Sequence, residues 1–142
     1  MESLVNPNRQ IALWIFIIFL LTLPVFACSS AEGGDVMLDE KSDGSSVELS
    51  LGNNLIISLA SNPSTGYAWG VLEMDPTILE KIGGNEFAPP EGTEIAPGSG
   101  GREQLTFNAI SKGTTTLKLG YKRPWEDQAQ PEKLFSVEIT VK

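Results

Sequence analysis

The 142-residue chain contains no histidine. That absence removes Ser-His-Asp and Cys-His nucleophile arrangements and the usual zinc ligand sets. Cysteine is nearly absent as well. Cys28 stands alone, so no internal disulfide can form, and it lies at the end of an apolar segment rather than within a fold. Cations are scarce, with 10 Lys and Arg against 18 Asp and Glu, a net charge of −8. Phosphate contacts need clustered Lys and Arg, so no nucleic-acid partner is expected. No long helical period runs through the chain. What remains is an acidic chain of 41% hydrophobic residues, long enough for one domain, with no cofactor expected and little with which to build a hydrolase.

The one long apolar run lies near the N-terminus. Arg9 supplies a modest positive start, and residues 11–23 hold only Thr22 as a polar residue. This is the layout of an export signal. Val25-Phe26-Ala27-Cys28 resembles a lipobox, after which cleavage would leave Cys28 as the lipid-modified first residue. An uncleaved anchor and plain secretion are the other readings, although the run is shorter than the roughly 20 apolar residues that span a bilayer comfortably. All three export the rest of the chain. Residues 1–28 are therefore assigned as signal or anchor. Residues 29–46, rich in Ser, Gly, Asp and Glu, are expected to form a flexible linker. Asp35, Asp39, Glu40 and Asp43 match no standard calcium loop, and no metal is expected.

From Val47 the pattern alternates with a period of two. Val47, Leu49 and Leu51 do so first, then Leu55, Ile57 and Leu59 after a Gly52-Asn53-Asn54 turn signal. Residues 67–72 read as the next strand. Asp75-Pro76 can start a short helical turn with Asp75 as its cap, and residues 86–88 could form a short strand. Residues 89–101 read as a long loop. Leu105, Phe107 and Ala109 then face one way, followed by Leu117, Leu119 and Tyr121, and by Phe135, Val137, Ile139 and Val141. Even spacing with turns between the runs predicts an all-β antiparallel sandwich over residues 47–142.

Three loops stand out. Asn62-Pro63-Ser64-Thr65-Gly66-Tyr67 reads as a pre-set turn. Pro63 fixes its own φ, Asn62 before it is pushed toward extended backbone, and Gly66 permits the positive φ that closes such a turn. Taken alone, this is an ordinary hairpin or Greek-key turn. Gly98-Ser99-Gly100-Gly101 lets another backbone approach closely. It is not a phosphate loop, since a strand rather than a helix follows it. Arg123-Pro124-Trp125 sets a tryptophan among polar neighbours. Such a residue is a common interface anchor, with folding back onto the sandwich as the alternative. Arg123 can pair with Glu126 or Asp127, or reach a partner. Trp69, within a strand pattern, belongs to the core.

Together, in this order, the three stretches resemble the chagasin-like family of cysteine protease inhibitors, whose pattern is an N-P-T-T-G-Y/F turn, a G-x-G-G loop and an R-P-W loop. Ser64 replaces the first threonine and keeps the hydroxyl. The resemblance implies an immunoglobulin-like sandwich whose loops cluster at one end, and a reversible, non-covalent inhibitor of papain-like cysteine proteases. The protease-binding residues it implies are Asn62, Pro63, Ser64, Thr65, Gly66, Tyr67, Gly98, Gly100, Gly101, Arg123, Pro124 and Trp125. Thr65 would lie near the enzyme's cysteine and Trp125 on its aromatic surface. No residue would be catalytic. A monomer is expected. The competing reading is an extracytoplasmic binding module of the same fold for another protein or surface ligand.

Overall fold

A computed structural model describes residues 33–90, 98–126 and 128–142. The expected N-terminal signal or anchor, Cys28 and Asp127 lie outside the described residues. Among the described residues eight strands follow one another: β1 (Val36–Leu38), β2 (Ser46–Leu49), β3 (Asn54–Ser61), β4 (Ala68–Glu73), β5 (Leu79–Ala88), β6 (Gly101–Ala109), β7 (Gly113–Lys122) and β8 (Lys133–Val141). They form two four-stranded sheets, β1-β3-β6-β5 and β2-β8-β7-β4. Pairing is antiparallel except at β1–β3 and β2–β8, which are parallel.

The period-two pattern is the reason for this packing. Successive strand side chains point to opposite faces, so each alternating run supplies one inward row. Leu55, Ile57 and Leu59 of β3 and Leu105 and Phe107 of β6 meet Leu117 and Leu119 of β7 and Phe135, Val137 and Ile139 of β8, each at most 1% exposed. Full burial of such a side chain contributes about 1.5–3 kcal/mol, so the core holds without a disulfide. Asp75 caps the turn before β5 as expected. Its carboxylate accepts from the Thr77 backbone N–H at 2.8 Å and from the Thr77 hydroxyl at 2.6 Å. β5 is longer than the short strand expected over residues 86–88.

The expected linker over residues 29–46 is corrected from Val36 onward: residues 36–46 belong to the sandwich. β1 aligns with β3, where Leu38 is buried against the core. Residues 40–42 form a 3-10 turn capped by Asp39. Glu40 accepts the Ala60 backbone N–H and pairs with Arg102 at 2.8 Å. Burial pushes the Glu40 carboxyl up, but the Arg102 hydrogen bond, the backbone N–H groups and the Arg102 charge outweigh it and hold the group below its ordinary value. Asp43 accepts from the Ser136 N–H at 2.8 Å. The polar residues that read as a solvated tether are the ones that fasten this segment to both sheets.

Candidate functional site

The topology places the three loops at one pole. β3 ends there at Ser61 and β4 begins at Ala68. β5 ends at Ala88 and β6 begins at Gly101. β7 ends at Lys122 and β8 begins at Lys133. The loops differ in kind. The segment joining β5 to β6 is a hairpin connection within one sheet, and that joining β7 to β8 is a hairpin connection within the other. The 62–67 turn alone of the three crosses between sheets, since β3 and β4 lie in different ones. It is thus the central loop, with one hairpin loop from each sheet beside it.

The turn is bonded internally at almost every position. Residues 63–65 form a single 3-10 turn with Asn62 as its N-cap and Pro63 at its start. The Asn62 side chain accepts from the Ser64 N–H at 3.2 Å and from the Ser64 hydroxyl at 2.6 Å. The Thr65 N–H and hydroxyl both donate to the Asn62 carbonyl, at 3.1 and 2.7 Å. Gly66 closes the turn at φ 78°, ψ 1°, and its N–H donates to the Pro63 carbonyl. Few residues other than glycine adopt that conformation without strain. Pro63, Ser64 and Thr65 are exposed at the tip.

Contacts join the turn to its neighbours on both sides. Toward one sheet, the Asn62 amide donates to the Gly98 carbonyl at 3.2 Å. Toward the other, the Arg123 guanidinium carbon lies 4.8 Å from the centre of the Tyr67 ring. Arg123 also donates to Glu126 at 3.2 Å, so it stiffens its own loop and stacks on the turn at once. Trp125 is 68% exposed, yet the end of its indole covers Gly66, where a Cβ would meet ring carbon Cη2 at 2.5 Å. Beneath the turn, Tyr67 packs on Tyr121 at 5.4 Å between ring centres, and Tyr121 on Trp69 at 5.2 Å. The Tyr121 hydroxyl accepts the Asn62 N–H at 2.9 Å.

Residues 48–139 match the family described as Chagasin family peptidase inhibitor I42. The chain belongs to this family. Amoebiasin-2 of Entamoeba histolytica is 30% identical over 116 residues, covering 81% of this chain and 92% of that protein. Chagasin of Trypanosoma cruzi is 30% identical over 98 residues, covering 67% and 87%. The crystal structure of the Entamoeba histolytica cysteine protease inhibitor EhICP2 superposes with a TM-score of 0.62 at 28% identity, covering 77% of this chain and 96% of that one.

Against the chagasin-family pattern, Asn62, Gly98, Arg123 and Trp125 all come to one surface with the turn. Gly101 lies lower, as the first residue of β6, while Gly100 is exposed just before it. A Cβ on Gly100 would stand 3.5 Å from the Ser61 carbonyl oxygen, and one on Gly101 would meet the Ala88 carbonyl oxygen at 2.5 Å. At Gly101 the absent side chain lets β5 and β6 close together, whereas Gly100 has room for ordinary contact and stays exposed. Glu103 was not singled out from sequence. It is 6% exposed and bonded to Ser61, Trp69 and Asn85. The signal was available, because Glu103 shares the inward parity of Leu105, Phe107 and Ala109.

Proposed function

We propose that the chain is a reversible, non-covalent inhibitor of papain-like cysteine proteases, acting as a wedge whose leading edge is the 62–67 turn. The observation that carries this reading is the placement of a rigid crossover turn between two hairpin loops, with direct contacts to each. A protease cleft takes an extended substrate strand. The 62–67 backbone is bent, through a 3-10 turn and a left-handed glycine. Its Asn62 and Pro63 carbonyls already accept hydrogen bonds from Thr65 and Gly66. The turn can fill the cleft without presenting a peptide bond in the geometry that cleavage requires, and no covalent step is needed.

Rigidity also favours affinity, because loops ordered in advance lose little entropy on binding. The exposed Trp125 ring and the tip residues Pro63, Ser64 and Thr65 supply the contact surface. A contact of standard size buries on the order of 1,600 Å² in total. The export signal read at residues 1–28 and the lipobox ending at Cys28 support an extracytoplasmic, lipid-tethered inhibitor. Loss of fatty-acid labelling in Cys28→Ala tests that part separately.

The experiment for inhibition is titration of papain at fixed enzyme with the full chain. Tight, reversible inhibition that competes with a small substrate is expected. A folded protein that leaves papain and several relatives fully active would overturn the inhibitor reading.

A further inference from the structure

The crossover nature of the 62–67 turn raises a mechanical problem. In a hairpin, ladder hydrogen bonds hold the two legs of a loop at a fixed separation. Here the legs belong to different sheets, so no ladder joins Ser61 to Trp69. Moreover, among the described residues β4 is an edge strand, paired with β7 and with no strand on its other side. Edge strands present backbone groups that lack a strand partner, and Trp69 turns its N–H and carbonyl toward that open side.

Glu103 and Asn85 supply what is missing. The buried Glu103 carboxylate accepts the Ser61 hydroxyl at 2.8 Å on one leg, and the Trp69 N–H at 3.3 and 3.4 Å on the other. Asn85 donates to the Trp69 carbonyl at 2.7 Å and to Glu103 itself. Acceptor and donor are thus offered to Trp69 as a neighbouring strand residue would offer them, but by side chains from the opposite sheet. Asn85 reaches there because β5 bulges. It takes four steps from Ile82 to Glu86 while β6 takes two, from Thr106 to Gln104. Bulges of this kind re-aim a side chain. Every partner of Glu103 among the described residues is a donor, which suits the acceptor oxygens of a carboxyl group. A buried carboxyl group is costly unless its oxygens are hydrogen-bonded, and a leucine in its place would leave the Trp69 N–H without an acceptor.

We propose that Glu103 and Asn85 are positioning residues for inhibition: a side-chain clamp, remote from the exposed tip, that fixes the separation of the two legs of the 62–67 turn. This deepens the protease-inhibitor reading and rests on it for its functional consequence. The direct bond from the Trp69 indole N–H to the Ala60 carbonyl, at 3.1 Å, ties the legs at one further point. It does not engage the Trp69 backbone.

The test compares full-chain Glu103→Met and Asn85→Ala with Val137→Ala, a core truncation in β8 away from the pole. Amide hydrogen exchange across residues 62–69, melting temperature, and kon and koff against papain are measured. Local opening is read by exchange independently of global stability. Both clamp variants are expected to speed exchange in the turn and to raise koff, each on the order of tenfold, with little change in kon. Val137→Ala lowers the melting temperature while leaving the turn as protected, relative to the rest of the chain, as in the parent. Turn exchange in Asn85→Ala no faster than in Val137→Ala, after correction for global stability, would overturn the clamp. Asn85 is exposed at a bulge, so this arm stands even if Glu103→Met does not fold. Should the parent chain fail to inhibit papain, the inhibitor reading falls, and the exchange arm still decides the clamp.

Discussion

The indole of Trp125 occupies the space that a side chain at Gly66 would need. A Cβ there would lie 2.5 Å from ring carbon Cη2, and Gly66 also sits at φ 78°. Two constraints, one from the backbone and one from a neighbouring loop, converge on a single residue. Gly66→Ala should therefore act on both the turn and the tryptophan. A left-handed conformation costs a non-glycine residue roughly 1–2 kcal/mol, and displacing the ring adds to it. The expected result is at least about a tenfold rise in the papain inhibition constant, with loss of the Trp125 contact visible as a change in tryptophan fluorescence.

Trp125→Ala should separate binding from folding. The residue is 68% exposed, and substitutions at exposed positions usually change stability by no more than about 0.5 kcal/mol. Interface anchors of this type contribute about 2 kcal/mol or more when truncated. Inhibition should weaken on the order of thirtyfold while the melting temperature stays near that of the parent. An unchanged inhibition constant would remove Trp125 from the contact surface.

Gly101→Ala should do the reverse. Its Cβ would press on the Ala88 carbonyl oxygen and the Phe87 ring, and the oxygen belongs to a paired strand that cannot move freely. Overpacking of this kind costs about 1–3 kcal/mol. That corresponds to a fall in melting temperature of roughly 4–8 °C per kcal/mol for a domain of this size. Thermal unfolding monitored by circular dichroism reads the effect directly.

Acid should loosen the segment at residues 36–46 through Glu40. Its folded carboxyl titrates below the ordinary value of 4.5. A group made more acidic by folding stabilises the fold fully above its unfolded value and loses that contribution as pH falls through the lowered folded value. Melting temperature measured downward from pH 6 should therefore fall once the pH drops below the usual glutamate range. Glu40→Gln should be less stable than the parent at neutral pH and should show a shallower fall in acid. Parallel curves for the two proteins would rule out the Glu40–Arg102 pair as a source of the acid sensitivity.

Much of the fold could be read from sequence because the inward rows of β3, β6, β7 and β8 are long and strictly alternating. Leu55, Ile57 and Leu59 announce a buried face without any knowledge of their partners. β1 could not be read in this way. It has three residues, of which Leu38 alone is buried, and its hold on the sandwich comes from parallel pairing with β3 and, just beyond it, from the Glu40–Arg102 pair, neither of which has a local signature. The site divides similarly. Pro63 and Gly66 reveal a turn because their conformational limits are intrinsic. That the turn crosses between sheets depends on strand pairing, and so does the need for Glu103. The inward parity of Glu103 was visible, but its partners Ser61, Trp69 and Asn85 are distant in sequence.

The division of labour among the three loops bears on how selectivity among proteases could be altered. The connections from β5 to β6 and from β7 to β8 each begin and end in a single sheet, so their ladders, Ala88 with Arg102 and Tyr121 with Lys133, persist whatever sequence lies beyond them. Residues 61–69 have no such protection, because their path depends on side chains from several strands. An affinity library aimed at new proteases should accordingly randomise the outer parts of the two flanking loops and hold the central segment constant. The molecule then behaves as a fixed keel carrying two interchangeable outriggers, with cleft entry set by one and enzyme preference by the others.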